Sequence, residues 1–112
     1  MAVTPRLTAE FWVHAYLARL RLAAVPAYVT ARGDATAGAV VVKLATLDGA
    51  AKAFQRSFDP ASGARVWVVL AEGGEADVDA VITRQRGHDR DLWVIEIEDR
   101  AGRTLLDEDG LG

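Results

Sequence analysis

Apolar residues repeat with helical spacing near the start of the chain and alternate with strand spacing further on. Val13, Leu17, Leu20 and Ala24 fall on one side of a first helix, flanked by Tyr16. Phe11, Ala15, Ala18 and Leu22 fall on a second, nearly opposite side, with Arg19 and Arg21 between. Thr8 suits the N-cap, Glu10 suits the positive end of the helix, and Pro26 stops it after about residue 24. Four strands are predicted next, over 27–32, 39–45, about 51–58 and 65–71. The breakers between them are Gly33-Asp34 with Gly38, Asp48-Gly49, and Asp59-Pro60-Ala61-Ser62-Gly63, turn chemistry that predicts an antiparallel meander. Phe54 and Phe58 also satisfy helical spacing. Gly73-Gly74 opens a second helix, about 75–86, which Gly87 ends.

The last strand lies in Asp91-Leu92-Trp93-Val94-Ile95-Glu96-Ile97-Glu98-Asp99-Arg100. Trp93, Ile95 and Ile97 share one face; Val94, Glu96 and Glu98 share the other. Residues 105–112 form an acidic, glycine-containing tail expected to fray. The predicted fold is a single α+β domain over 1–112, a mostly antiparallel sheet of about five strands with two helices, in the order α-β-β-β-β-α-β. Two apolar sides on the first helix, and strands apolar on both faces, leave more apolar surface than two short helices can cover. A homodimer or larger assembly is the expected consequence; the alternative is that the tail or the Gly33–Gly38 segment folds over the remainder.

Three segments resemble a known family: Leu7-Thr8-Ala9-Glu10-Phe11-Trp12-Val13, the stretch from Gly33-Asp34 through Gly38 to Val40-Val41-Val42-Lys43-Leu44, and Arg84-Gln85-Arg86 followed by the Trp93 strand. Together they resemble the bacterial domain-of-unknown-function family 1491 (DUF1491), seen in alphaproteobacteria, over nearly the whole chain. The resemblance implies a small bacterial intracellular protein. That family brings no assigned activity or catalytic residues with it.

Composition narrows the function classes. There is no cysteine, which removes disulfides and thiolate-bound zinc or iron–sulfur clusters. The opening residues lack the basic and apolar regions of a signal peptide, and no apolar run approaches the ~20 residues of a membrane span, so a cytoplasmic protein is expected. The net charge of −3 is uneven: residues 1–56 carry seven basic and three acidic side chains, residues 57–112 six and thirteen. An acidic half is a poor nucleic-acid footprint, and no nucleic-acid partner is expected.

The candidate chemistry is sparse. Glu96 and Glu98 point the same way, about 7 Å apart along a strand, and with Asp99, Asp89 or Asp91 would make an oxygen-rich cation site. The plainer reading pairs them with Arg65 or another cross-strand arginine. A metal-dependent nuclease reading would use Asp34 and Lys43, but Val41 stands where its acid is needed. Neither glycine turn has phosphate-loop or dinucleotide spacing, and Glu75, Asp77 and Asp79 would repel a phosphate after Gly73-Gly74. Ser57 and Ser62 lack a nucleophile-elbow pattern. His14 reads as a half-buried rim residue and His88 as a helix-end cap.

Arg84, Arg86, His88 and Arg90 form the best anion-binding cluster, although cations at a helix C-terminus are expected from the macrodipole alone. Gln85 shares a face with Val78, Val81 and Ile82 and is expected to be buried, pinning the turn into the last strand. The reading is therefore a non-catalytic interaction or self-assembly domain without cofactor or metal. The alternative is an enzyme-like small-anion or metal site using Glu96, Glu98, Arg84 and Arg86, with Gln85 as a third polar group beside the arginines. Calorimetric titration with magnesium, manganese, calcium and zinc is expected to show no stoichiometric site tighter than about 100 μM. A tight site lost on Glu96→Ala and Glu98→Ala would contradict this.

Overall fold

In a computed structural model, residues 7–108 and Leu111 are described. The elements are α1 (Ala9–Leu22), β1 (Ala27–Ala31), β2 (Val40–Ala45), β3 (Ala50–Phe58), β4 (Arg65–Gly74), α2 (Glu75–His88) and β5 (Trp93–Glu98). Type and order agree with the sequence reading. The sheet order, β1-β5-β2-β3-β4, departs from a simple meander.

The meander holds for β2, β3 and β4, which pair antiparallel through Val42 opposite Phe54 and Arg56 opposite Trp67. It fails for β1. The last strand in the chain, β5, inserts between β1 and β2, antiparallel to the first and parallel to the second. The sheet is therefore mixed. The reason lies in burial: β5 buries Trp93, Ile95 and Ile97 on one face and Val94 on the other, and a strand with apolar side chains to bury on both sides belongs in the interior of a covered sheet. Ile95 accordingly pairs with Val29 on one side and Val42 on the other.

The two helices cover opposite faces of this sheet, not one face as the sequence reading supposed. On one face, Trp12, Val13, Tyr16 and Leu20 of α1 pack on Val40, Val42, Leu44, Trp93, Ile95 and Ile97. On the other, Val78 and Ile82 of α2 pack on Val41, Ala51, Ala53 and Val94. The small Ala51 and Ala53 keep this second core thin. Tyr16, expected as a flank, is fully buried, and its hydroxyl donates to the Thr104 carbonyl at 2.7 Å. Burial pushes the Tyr16 phenol well above its ordinary pKa.

Several local expectations need correction. Helix α1 ends at Leu22, because Ala24 turns left-handed (φ 58°) and the Ala24 and Val25 amides donate to the Arg21 and Leu20 carbonyls. That is a Schellman closure, and it leaves Ala24 outside the apolar stripe. Gly74 is the N-cap of α2, which starts at Glu75 as expected, although β4 runs up to and includes it; Gly87 does not end the helix but lies inside it. Of the segment expected to fray, Leu106 and Leu111 join the core on the α1 face, with Leu111 only 1% exposed, while 109, 110 and 112 lie outside the described residues. Two leucines on the uncovered part of the α1 face outweigh the acidic composition around them.

The loop between β1 and β2 does most to set the topology. The Asp34 amide donates to the Asp91 carbonyl (3.0 Å), the Trp93 indole Nε1 donates to the Asp34 carbonyl (2.7 Å), and the Trp93 amide donates to Ala39 (2.8 Å). Asp34 Oδ2 accepts from Thr36 and Ala37, closing the loop on itself. The Thr36 and Ala35 carbonyls then accept from the Ala9 and Glu10 amides, completing with Thr8 Oγ1 the N-terminal cap of α1. Gly33 and Gly38 are needed for contact: a Cβ on either would overlap the Asp91 carbonyl oxygen, and one on Gly33 would also stand 2.7 Å from Trp93 Cδ1. Gly38→Ala is thus expected to lower stability by about 1–3 kcal/mol, the range for overpacking. Urea unfolding checks this, with Gly87→Ala as the control: it lies in α2, an added Cβ meets nothing within 4 Å, and stability should rise by up to about 1 kcal/mol.

Candidate functional site

Lys43 is the charge that organises this molecule. It interrupts the apolar run of β2 on the α2 side of the sheet and is only 4% exposed. In the parallel register it stands beside Glu96 of β5, whose Oε1 lies 2.8 Å from Nζ. Above it, one turn apart on α2, Asp79 Oδ1 lies at 2.7 Å and Glu75 Oε1 at 3.8 Å. Three carboxylates from two elements thus converge on one ammonium.

Burial by itself would pull the Lys43 pKa down. Hydrogen bonds to Asp79 and Glu96, reinforced by their charges, reverse this and hold it above the ordinary lysine value. Lys43 therefore stays protonated at neutral pH, which disqualifies it as a nucleophile or general base. Where a cation would sit among Glu75, Asp79 and Glu96, an ammonium already sits. Among the described residues no group of three or more acids and histidines is arranged to hold a metal ion.

The plainer expectation for Glu96, an ion pair, is right in kind, but its partner is Lys43, not Arg65. Sequence reasoning used Lys43 only within a nuclease pattern. The available signal was a lone charge within Val-Val-Val-Lys-Leu-Ala. The nuclease geometry itself is absent: Asp34 is occupied in its loop, and Val41 is buried under α2. Glu98 lies on the same face as Glu96, opposite Ala45.

The remaining acids are engaged locally. Asp89 accepts from the Asp91 amide. Asp99 accepts from the Arg103 guanidinium and amide, which hold its carboxyl below the usual carboxylate range.

The arginine cluster does not meet these carboxylates. Seven residues of helix, about 10 Å of rise, separate Asp79 from Arg86. Arg86 is turned inward as a staple, donating to the Arg90 carbonyl (2.6 Å) and the Arg32 carbonyl (2.9 Å). Arg84, His88 and Arg90 are exposed. So is Gln85: α2 has its buried contacts at Val78 and Ile82, and by its last turns it has passed the sheet surface, leaving the amide on the wall of a cavity. His14 is exposed, not half-buried, because α1 presents Trp12 and Tyr16 to the sheet and turns His14 away.

Sequence reasoning also missed Arg56. Its guanidinium carbon lies 4.5 Å from the Trp12 ring centroid and 4.9 Å from that of Trp67, so one cation rests against a pair of indoles that themselves pack at 5.5 Å. The cross-strand register, Arg56 opposite Trp67, produces half of this arrangement, and α1 supplies the other half.

A family model described as "Protein of unknown function (DUF1491)" matches residues 7–107. The chain belongs to the DUF1491 family. Solved structures agree. A crystal structure of a DUF1491 family protein from Caulobacter crescentus CB15 shares 39% identity at a TM-score of 0.83, covering 92% of this chain and 97% of that one. An NMR structure of a DUF1491 family protein from the same organism shares 38% identity at a TM-score of 0.80, covering 94% and 96%. The solution structure of protein Atu0922 from A. tumefaciens shares 28% identity at a TM-score of 0.70, covering 84% and 86%. No curated protein matches. Among the described residues of this DUF1491 chain, no helix is long and apolar enough to cross a membrane.

Because the Lys43 pKa is raised on folding, its contribution is complete below the unfolded lysine value of 10.5 and is lost as pH rises through the folded value. Lys43→Met is expected to cost about 2–3 kcal/mol at pH 7, toward the low end for a broken buried pair because Glu75 and Asp79 still reach water. Denaturant unfolding of both proteins from pH 7 to 11.5 checks this; the difference should stay constant to about pH 10 and narrow above it.

Proposed function

We propose that this DUF1491 protein is a non-catalytic, self-associating interaction domain of the bacterial cytoplasm, with no nucleic-acid partner. The observation that carries this reading is the outward side of α1. Phe11 is 61% exposed and Leu22 89% exposed, with Ala18 exposed between them on the same stripe. Leu7, just before the helix, extends the same surface. A contiguous apolar stripe on an otherwise well-packed helix is a typical interaction surface.

A second copy is the partner that suits it. In an antiparallel two-fold pairing, Phe11 of one α1 lies against Leu22 of the other, while the small Ala15 and Ala18 at the crossing let the backbones approach. That arrangement also sets the Glu10 end of one helix beside the Arg21 end of the other. The protonated Lys43 and the inward-turned Arg86 support a non-catalytic reading, since the chain's most buried charge is spent on packing α2.

Sedimentation or light scattering at micromolar concentration is expected to give twice the chain mass of 12.0 kDa. Phe11→Glu with Leu22→Glu should return the protein to 12.0 kDa. Both positions are exposed, so stability should change by only about 0.5 kcal/mol per site. A parent protein that is monodisperse at 12.0 kDa would sink the proposal.

A further inference from the structure

A cavity of about 590 Å³ opens at one end of the sheet, between the start of α1, the loop before β2 and the last turn of α2. It is remote in chemistry from the Lys43 cluster. Its wall includes Trp12, Gln55, Arg56, Arg65, Gln85 and Leu92, with the Asp89 carboxylate as the one acid among the described residues, already accepting from the Asp91 amide. Its size falls within the roughly 300–1,000 Å³ of small-molecule pockets.

Arg56 is the unusual member. It is half-buried, and among the described residues no carboxylate pairs with it. Its one described acceptor is the Leu111 carbonyl, at a long 3.4 Å, and its Nε is buried with no acceptor. The Trp12 indole Nε1 is likewise buried without an acceptor, in a side chain only 4% exposed. Burial, and then the positive charge of Arg65, lower the Arg56 pKa to about 10, the direction an anion would reverse. The two indoles satisfy the guanidinium's charge through their faces but not its N–H donors. They also hold the fork rigid, which reduces the entropy an anion must overcome.

We propose that this cavity binds a small organic acid, whose carboxylate or phosphate oxygens engage Arg56 and whose apolar body lies against Trp12 and Leu92. A guanidinium on the cavity wall with N–H donors left over calls for an oxyanion. A space far larger than a bare anion, with Trp12 and Leu92 on its wall, calls for a body attached to it. Gln55 and Gln85 offer neutral hydrogen bonds at the rim, a place for the Gln85 amide that helix packing does not use.

The test is an NMR titration that follows the Arg56 Nε–H and Trp12 Nε1–H signals, with benzoate, phenyl phosphate and inorganic phosphate as probes at fixed ionic strength. Benzoate or phenyl phosphate is expected to move both signals saturably with Kd below about 1 mM, and inorganic phosphate to bind at least about tenfold more weakly. Arg56→Lys, which keeps the charge and loses the fork, should weaken binding by about tenfold or more. Gln85→Trp, which fills the cavity from an exposed position without touching Arg56, should abolish it and covers the case in which Arg56→Lys does not fold. Signals unmoved by every probe, or moved equally in Gln85→Trp, would overturn the proposal. Equal affinity for inorganic phosphate would overturn its organic part.

Discussion

The approach of the Gly33–Gly38 loop to the Asp91 carbonyl is the constraint on which the rest of the structure depends. Without a Cβ at either glycine, the loop can sit on the backbone that leads into β5 and receive the Trp93 indole. That contact places β5 between β1 and β2, where Trp93, Ile95 and Ile97 on one face and Val94 on the other can all be covered. The same loop supplies acceptors to the first amides of α1. One short segment therefore fixes the start of a helix and the position of the central strand. The three stretches that carry the family resemblance meet here, through backbone hydrogen bonds.

Lys43 does for the α2 face what the loop does for the α1 face. Val78 and Ile82 give α2 a narrow apolar footprint over small alanines, which alone would let the helix slide. A buried ammonium held by Glu75, Asp79 and Glu96 specifies where it stops. A buried ion pair adds little net stability over an apolar substitute but penalises misplacement strongly, since a shift strands a charge. The arrangement suits a polar register pin. It also uses up Glu96, one of the two carboxylates that looked most like a site.

What remains for function lies at the edges of the two cores. The outward side of α1 is apolar without internal cover, and the cavity beside Arg56 holds donors without acceptors. One is a surplus of apolar surface and the other a deficit of oxygen atoms. These are different physical problems, and a second copy of the chain and a small acid are the solutions proposed for them.

The sequence by itself determined the elements and their order. Helical spacing, Thr8, Pro26 and the Asp-Gly turns act within a few residues, so local physics suffices to read them. It also foretold that Glu96 is paired and that α1 has two apolar sides. Only the tertiary structure decided strand order, because insertion of β5 beside β2 joins residues some fifty positions apart through contacts that no local pattern encodes. The identity of the Glu96 partner follows from that register, Lys43 standing beside Glu96 only once the two strands are parallel neighbours. The docking of Leu106 and Leu111 follows from the area α1 leaves uncovered. Gln85 escaped burial for a geometric reason: helical periodicity says which side a residue faces, but not where the sheet beneath it ends.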